Sequence, residues 1–201
     1  MSTLRQSGII VVNDLRRAAW VLGGMLVLLW LVLLINALFF SGQLDRYGIE
    51  PRTLSGLRGI LFAPLLHAGV AHLAANSTGL LLLGGIGLLR RETDFWIVTV
   101  AGIFLAGACT WLFARPAMHI GASGVVFAYL GYLLSTGIFE RRIGAILLSL
   151  LAGFAWSGLL IGVVPGQQGI SWESHLFGLI AGTVAARVLA NWRTRRLRRT
   201  T

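Results

Sequence analysis

The chain has 201 residues, of which 56% are hydrophobic and only 12% are charged. Soluble domains carry about 25% charged residues, so this composition excludes an ordinary soluble protein and predicts an integral membrane protein. The formal charge of +10 does not indicate nucleic-acid binding, because every basic residue is an arginine and the arginines lie between apolar runs.

Six apolar runs approach the roughly 20 residues that a helix needs to cross a bilayer. In chain order they are residues 18–40, 70–89, 95–114, 121–139, 143–164 and 174–189. The first run is longer than the apolar core of a signal peptide and ends without a small-residue cleavage site, so we expect a retained anchor. The sixth run is the weakest, because it opens with Ser174 and His175 and closes on Arg187.

The arginines predict the orientation of these runs. With six crossings, 13 of the 17 arginines fall on the side of the two termini, which the positive-inside rule makes cytoplasmic. We therefore expect a short cytoplasmic tail at residues 1–17, a membrane domain at 18–190 and a basic cytoplasmic tail at 191–201. The long connection at residues 41–69 then lies on the other side, where we expect short interfacial helices.

Polar residues open the second, fourth and sixth runs, which all enter the membrane from the outer side in this topology. The segments are HAGVAHLAAN, GASG and SHLFG, and they carry His72, Asn76, Ser123 and His175. His72 and Asn76 are spaced i, i+4 and share one helical face. Strongly polar groups at membrane depth usually face a bundle interior or a wet cavity, so we expect the four to meet there.

These residue types have complementary chemistry. A neutral imidazole at His175 can take the proton of the Ser123 hydroxyl and activate a weak nucleophile. If Ser123 begins a helix, nearby N–H groups and the positive end of the helix dipole can stabilise an oxyanion, with Asn76 and His72 as further donors. Small residues allow the fourth and sixth helices to approach closely; they are Gly121, Gly124, Gly131, Gly178 and Gly182.

Each feature also has a simpler interpretation. The G-x-S-G element alone is weak, because small-residue clusters in membrane helices usually serve packing, and Asn76 alone is typical of a bridge between helices. We expect His67 to lie in the loop or at the interface and His119 in a loop, both outside the chemistry, and Glu173 to be a solvated charge. The conjunction of four complementary polar residues at one depth favours the catalytic interpretation.

The three elements, in this order, resemble those of the rhomboid family of intramembrane serine proteases. The resemblance covers most of the chain, from the first loop to Ala190, and implies an all-α membrane protein with the six-helix rhomboid core and a long first extracytoplasmic loop. It implies that Ser123 is the nucleophile and His175 its general base, and that His72, Asn76 and the Ser123 amide line the oxyanion hole. The supporting positions that it implies are Gly121, Gly124, Phe127 and Gly178.

The chain departs from the family pattern in two places. Leu57-Arg58 stands where the first loop often has Trp-Arg, and Phe127 stands where a tyrosine often stacks on the catalytic histidine. Phenylalanine keeps the ring face, so we expect the base to stay oriented. A weaker or different docking of the loop is expected at Leu57.

The resemblance implies that the protein cleaves membrane proteins with a single spanning helix. We expect the protein itself to be a multi-pass protein of the bacterial inner (cell) membrane. The alternative function is a catalytically inactive rhomboid-like binding or quality-control protein, although both nucleophile and base are present. A haem or metal protein is less favoured, because H-E-x-x-H is absent and the histidines show no sustained ligand pattern. We therefore expect no metal, no cofactor and no nucleic-acid partner; substrate identity and oligomeric state stay open.

Overall fold

The computed structural model describes residues 2–198, with the backbone course alone for residues 2–11 and 197. Within this part the chain is all-helical, and its only β-type contact is one bridge between Ile49 and His119. Six longer helices follow in chain order: α1 (Ser2–Phe39), α2 (Val70–Arg90), α3 (Glu92–Phe113), α4 (Ser123–Glu140), α5 (Ile143–Ala155) and α6 (Trp172–Arg198). The predicted all-α class is confirmed for the described residues.

Four helices are long and apolar enough to cross a bilayer: α1 from Val12 onward, α2, α3 and α4. The predicted fifth run is broken, because α5 ends at Ala155 and Ser157–Val163 continues at an angle of 68°. Counted as one span, this bent pair makes five crossings. The chain is therefore a multi-pass membrane protein. The predicted sixth crossing, on α6, stays a prediction, because its arginines from Arg187 onward shorten its apolar part.

Two of the long helices extend beyond the predicted spans. α1 begins at Ser2, so residues 2–17, predicted as a tail, are helical and continue directly into the first span. α6 likewise continues through residues 191–198 of the predicted basic tail. Met1 and residues 199–201 lie outside the described residues.

The long connection after α1 folds into short helices, as expected. They are Gln43–Tyr47, Leu54–Leu57, Gly59–Phe62 and Ala63–Leu65. Hydrogen bonds tie this connection to the end of α3, since Trp111 Nε1 donates to the Thr53 carbonyl at 2.8 Å and Arg52 donates to the Ala114 carbonyl at 2.8 Å. The Arg58 guanidinium lies 4.1 Å from the centre of the Tyr47 ring. These contacts fix the connection over the mouth of the bundle.

α4 is the central helix, and it packs against α3, α5 and α6. Small residues bring α4 and α6 into backbone contact, as predicted. A methyl group added at Gly178 would lie 3.0 Å from Phe127 Cβ and clash with the Gly124 carbonyl. One added at Gly182 would clash with the Ala128 carbonyl. Such close approach is how membrane helices gain van der Waals packing where lipid removes the hydrophobic driving force.

An ionic network joins four helices at the end of α4 that lies opposite to Ser123. Glu140 accepts hydrogen bonds from Arg90 at 2.7 Å, Arg91 at 2.9 Å and Arg193 at 3.1 Å. Arg193 also pairs with the buried Asp94. Paired and hydrogen-bonded charges tolerate burial, and this network ties the end of α4 to α2, α3 and α6.

Candidate active site

The polar residues predicted from sequence line one cavity. Its volume is about 660 Å³, and it opens between α2, α4, α6 and the loops around them. The predicted residues that line it are His72, Asn76, Ser123, Phe127 and His175. Three helices that are distant in sequence, α2, α4 and α6, therefore contribute to one site.

Ser123 lies at the first position of α4, directly after a tight turn. The turn requires glycine at position 121, where φ is +115° and a Cβ atom would lie 2.6 Å from His72 Nε2. The Gly121 N–H donates to the Ala63 carbonyl at 2.8 Å, and the Ala122 N–H donates to His67 Nε2 at 3.3 Å. The first loop thus holds the turn that presents the Ser123 hydroxyl to the cavity.

The His175 ring is held on two sides. Its Nδ1 lies 2.9 Å from the carbonyl oxygen of Gly162, and its face stacks on the Phe127 ring with centroids 4.2 Å apart and planes 9° apart. A carbonyl can only accept a hydrogen bond, so Nδ1 carries the proton and Nε2 keeps a free lone pair in the neutral ring. Nε2 is therefore available to accept a proton.

The described hydrogen bonds include none between Ser123 and His175, although both residues line the cavity. Ser123 is nearly buried, with 8% of its surface exposed. Catalytic hydrogen bonds are often long in the absence of substrate and tighten when it binds. The arrangement is thus that of a serine and an imidazole on adjacent helices, without a described carboxylate bonded to the imidazole.

Asn76 contributes a hydrogen-bond donor that is not used within the fold. Asn76 is 5% exposed, and its Nδ2 has no hydrogen-bond partner among the described residues. A Cβ atom at Gly121 would lie 3.4 Å from this nitrogen, so the amide is next to the turn that precedes Ser123. This donor can therefore pair with an anionic oxygen that enters the cavity.

The start of α4 supplies two more donors, the N–H groups of Ser123 and Gly124. The next two N–H groups, those of Val125 and Val126, both donate to the Ala122 carbonyl, at 3.0 Å each. The described hydrogen bonds include none from the N–H groups of Ser123 and Gly124, as expected for the first residues of a helix. Together with the helix dipole, these groups make the position beside Ser123 favourable for negative charge.

The outer wall of the cavity contains an ion pair that the sequence interpretation missed. Glu173 was expected to be a solvated charge, and this expectation was wrong, because Glu173 is 3% exposed. Its carboxylate accepts from Arg115 at 2.7 Å, and Arg115 also donates to the Ile170 carbonyl at 2.7 Å. Nearby, His119 Nδ1 lies 2.5 Å from Ser171 Oγ. These contacts join the loop between α3 and α4 to the loop before α6 and the start of α6.

The sequence interpretation also missed the Gly162 carbonyl that holds His175. Position 162 tolerates no larger residue without rearrangement, since a Cβ atom there would lie 3.0 Å from His175 Nδ1 and 3.1 Å from Phe127 Cζ. In the sequence, only the glycine at position 162 could have indicated this close contact. The contact forms because the chain bends after Ala155, and the apolar run does not predict that bend.

Comparison with known proteins places this architecture in a family. A family model of the rhomboid domain matches residues 55–192, which is more than half of the chain. The chain belongs to the rhomboid family. The matched part of this rhomboid protein contains all four polar residues predicted to meet in the cavity.

Relatives of this rhomboid protein occur in distant organisms. An uncharacterised protein of Mycobacterium tuberculosis is 42% identical over 189 residues, covering 87% of this chain and 78% of that protein. A putative rhomboid protein of Acanthamoeba polyphaga mimivirus is 28% identical over 163 residues, covering 77% of this chain and 86% of that protein. RHOMBOID-like protein 4 of Arabidopsis thaliana is 31% identical over 134 residues, covering 62% of this chain and 32% of that protein.

His67 has a structural place in this rhomboid fold beside the cavity. It lies in the loop before α2, as expected, yet it is only 2% exposed and its ring meets the His72 ring edge-on at 5.1 Å. The pKa of His67 is lowered to about 4, mainly by burial and to a smaller extent by His72, while a backbone hydrogen bond at Leu65 opposes the shift. The neutral ring is required for its Nε2 to accept from the Ala122 N–H.

This lowered pKa predicts a loss of stability in acid. The unfolded chain binds the proton near pH 6.5 and the folded chain near pH 4, so stability is complete above about 6.5 and falls as the pH drops toward 4. The full shift corresponds to at most roughly 3 kcal/mol. Thermal unfolding in detergent from pH 7 to 4.5 should show a shallower loss for His67→Asn than for the wild type. Equal slopes would mean that other groups carry the acid sensitivity.

Proposed function

We propose that this rhomboid-family protein is an intramembrane serine protease that cleaves peptide bonds in or near the transmembrane segment of its substrates. Ser123 is the nucleophile and His175 the general base. His72, Asn76 and the Ser123 N–H form the oxyanion hole. The proposed reaction uses no metal or cofactor.

One observation carries this proposal. The cavity gathers a serine at a helix start, a histidine whose Nδ1 is held by a carbonyl, and a buried amide donor without a partner among the described residues. Helix packing alone does not require an unsatisfied donor beside a nucleophile. Acyl transfer requires both, because negative charge develops on the substrate oxygen during attack.

The first half of the reaction forms an acyl-enzyme. Ser123 Oγ attacks the substrate carbonyl carbon while its proton passes to His175 Nε2, and the carbonyl oxygen becomes an oxyanion. The oxyanion is stabilised by hydrogen bonds from the Asn76 amide, His72 and the first N–H groups of α4. The tetrahedral intermediate then collapses as His175 returns the proton to the leaving nitrogen, so the peptide bond breaks and an ester to Ser123 remains.

The second half of the reaction hydrolyses the acyl-enzyme and regenerates the free enzyme. A water molecule attacks the ester carbonyl, His175 takes its proton, and the oxyanion forms again in the same place. Collapse breaks the bond to Ser123 Oγ, which recovers the proton from His175. The Gly162 carbonyl holds the ring throughout and stabilises the imidazolium that forms in each half.

Substrate entry requires an extended strand beside Ser123, because a helical peptide keeps its carbonyls in intrahelical hydrogen bonds. We therefore propose substrates with one spanning helix that unwinds near small or helix-weakening residues. The cavity supports this with an apolar wall at Val126, Trp156 and Leu159 that can contact such side chains. Purified protein in liposomes should cut a single-span test substrate, and mass spectrometry should place the cut in or next to its membrane segment. Cutting confined to soluble parts of the substrate would contradict the proposal.

We also propose six crossings, with both termini cytoplasmic in a bacterial inner membrane. The support is the arginine distribution and the packing of α6 against both α4 and α3. A reporter active only in the cytoplasm should be active when it is fused after Thr201. A reporter that is active only after export should be silent at this point. Activity of the exported reporter would contradict six crossings.

The oxyanion hole gives a further prediction. Asn76→Ala should lower kcat about a hundredfold, the usual loss when one preorganised donor is removed, with little change in KM. Removing the unpartnered Nδ2 should leave the melting temperature equal or higher. Thr78→Ala, a polar cavity residue two positions further along α2 whose hydroxyl donates to the Ala74 carbonyl, is the matched control. A wild-type rate for Asn76→Ala would assign Asn76 to helix packing.

A further inference from the structure

A second cavity lies at the end of the bundle opposite to Ser123. Its volume is about 550 Å³, and it is bounded by the ends of α4 and α6, the start of α5 and the link between α2 and α3. Four arginines line it, Arg91, Arg142, Arg193 and Arg196, against one carboxylate, Glu140. The proposed proteolysis does not use this cavity.

The positive charge around this cavity exceeds what the fold neutralises. Three guanidinium groups, those of Arg90, Arg91 and Arg193, share the carboxylates of Glu140 and Asp94. Arg142 adds a further charge, and its exposed guanidinium has no hydrogen-bond or ion-pair partner among the described residues. The cavity is therefore complementary to an anion.

The start of α5 adds to this field. Arg142 immediately precedes α5, and within the part of the chain that the structure describes no side chain caps the first turn. The positive end of the helix dipole and free N–H groups therefore lie beside the Arg142 side.

An apolar path leads away from the same cavity along α6. Phe139 and Ala190 line the cavity wall, and Trp192 stands at its rim with 53% exposure. Val188 and Val184 are 58% and 44% exposed, and their spacing of four residues places them on the same face as Trp192. An exposed apolar face that ends in tryptophan and arginine is typical of the boundary between acyl chains and headgroups.

We propose that this cavity binds an anionic phospholipid, with its phosphate near Arg142 and Arg193 and its acyl chains along the Val184–Val188 face. Guanidinium groups bind phosphate oxygens through paired hydrogen bonds, which favours a phosphate group at this site. A choline headgroup would bring positive charge to a site that already has an excess. The inference depends on the membrane location of the protein and not on its proteolytic activity.

The test uses native mass spectrometry and thermal unfolding of the full chain in an uncharged detergent. Dioleoyl phosphatidylglycerol, dioleoyl phosphatidylcholine and inorganic phosphate are added in separate arms. Arg142→Gln is the test variant. Arg141→Gln is the matched control, since Arg141 is also exposed and adjacent but does not line the cavity.

Phosphatidylglycerol should bind the wild type more tightly than phosphatidylcholine and raise its melting temperature more. Arg142→Gln should weaken phosphatidylglycerol binding about fivefold, the effect of one arginine near an anionic lipid surface, while Arg141→Gln should leave it within about twofold. Equal losses in both variants would mean diffuse attraction and overturn the site. Equal stabilisation by inorganic phosphate would assign the cavity to small anions and overturn the lipid proposal. Failure of either arm would leave the protease proposal unaffected, because neither readout depends on cleavage.

Discussion

Ser123→Ala should lower the rate of cleavage of a single-span substrate by at least about a thousandfold. The substitution removes the atom that would form the acyl-enzyme, and no other described side chain of the cavity can take its place in the same geometry. The fold should survive, because the described hydrogen bonds include none made by the Ser123 hydroxyl. The melting temperature of the variant should therefore stay close to that of the wild type.

A matched serine on the same helix provides the control. Ser135 lies three turns further along α4, where its hydroxyl donates to Thr183 at 3.0 Å, away from the cavity. Ser135→Ala should lower stability slightly through the lost hydrogen bond and leave the cleavage rate within a few-fold. Residual wild-type cleavage in folded Ser123→Ala would remove Ser123 from the mechanism.

His175→Ala should lower kcat on the order of a thousandfold or more, since no described carboxylate or second base is bonded to the serine. A small residual rate is expected, because the oxyanion donors and substrate binding still act without the base. Substrate binding itself should change little, so KM should move much less than kcat. Cleavage within tenfold of the wild type would place the base elsewhere, with His72 as the next candidate on the cavity wall.

Phe127 supplies the control for ring orientation. Its ring stacks on His175 at 4.2 Å, so Phe127→Leu should loosen the imidazole and lower the rate by much less than His175→Ala. Phe127→Tyr keeps the ring face and should retain most of the rate. This pair separates loss of the base from loss of its support.

Local spacing made part of the site predictable. His72 and Asn76 lie one helical turn apart, so any helix through them places both on one face. The glycines at 178 and 182 indicated close packing of α6 on α4, which the structure bears out. These features depend on residues near one another in sequence, and sequence patterns report such features directly.

Contacts between distant segments were not predictable in the same way. The Gly162 carbonyl holds His175, yet every residue has a carbonyl, so composition gives no signal for it. The prediction that Glu173 is solvated was wrong because its partner, Arg115, lies 58 residues earlier, where no local pattern links the two. The bend of 68° after Ala155 interrupts a run that is largely apolar on both sides of the bend. Hydropathy reports contact with lipid and does not report the direction of a helix.

The sixth helix illustrates a further limit of hydropathy. α6 contacts α4 and α3 over much of its length, so its small and polar residues face protein. A helix that packs mainly against protein need not be strongly apolar, so hydropathy alone does not identify α6 as a membrane span. The reporter fusion after Thr201 addresses that point independently of catalysis.

The most direct measurement is the site of covalent labelling by a serine-directed fluorophosphonate in the folded, purified protein. If Ser123 is a nucleophile activated by His175, peptide mass spectrometry should find the label on Ser123. Ser123→Ala should take up none, and His175→Ala should react far more slowly at the same serine. Label on another residue, or equal labelling of Ser123 with and without His175, would contradict the proposed protease.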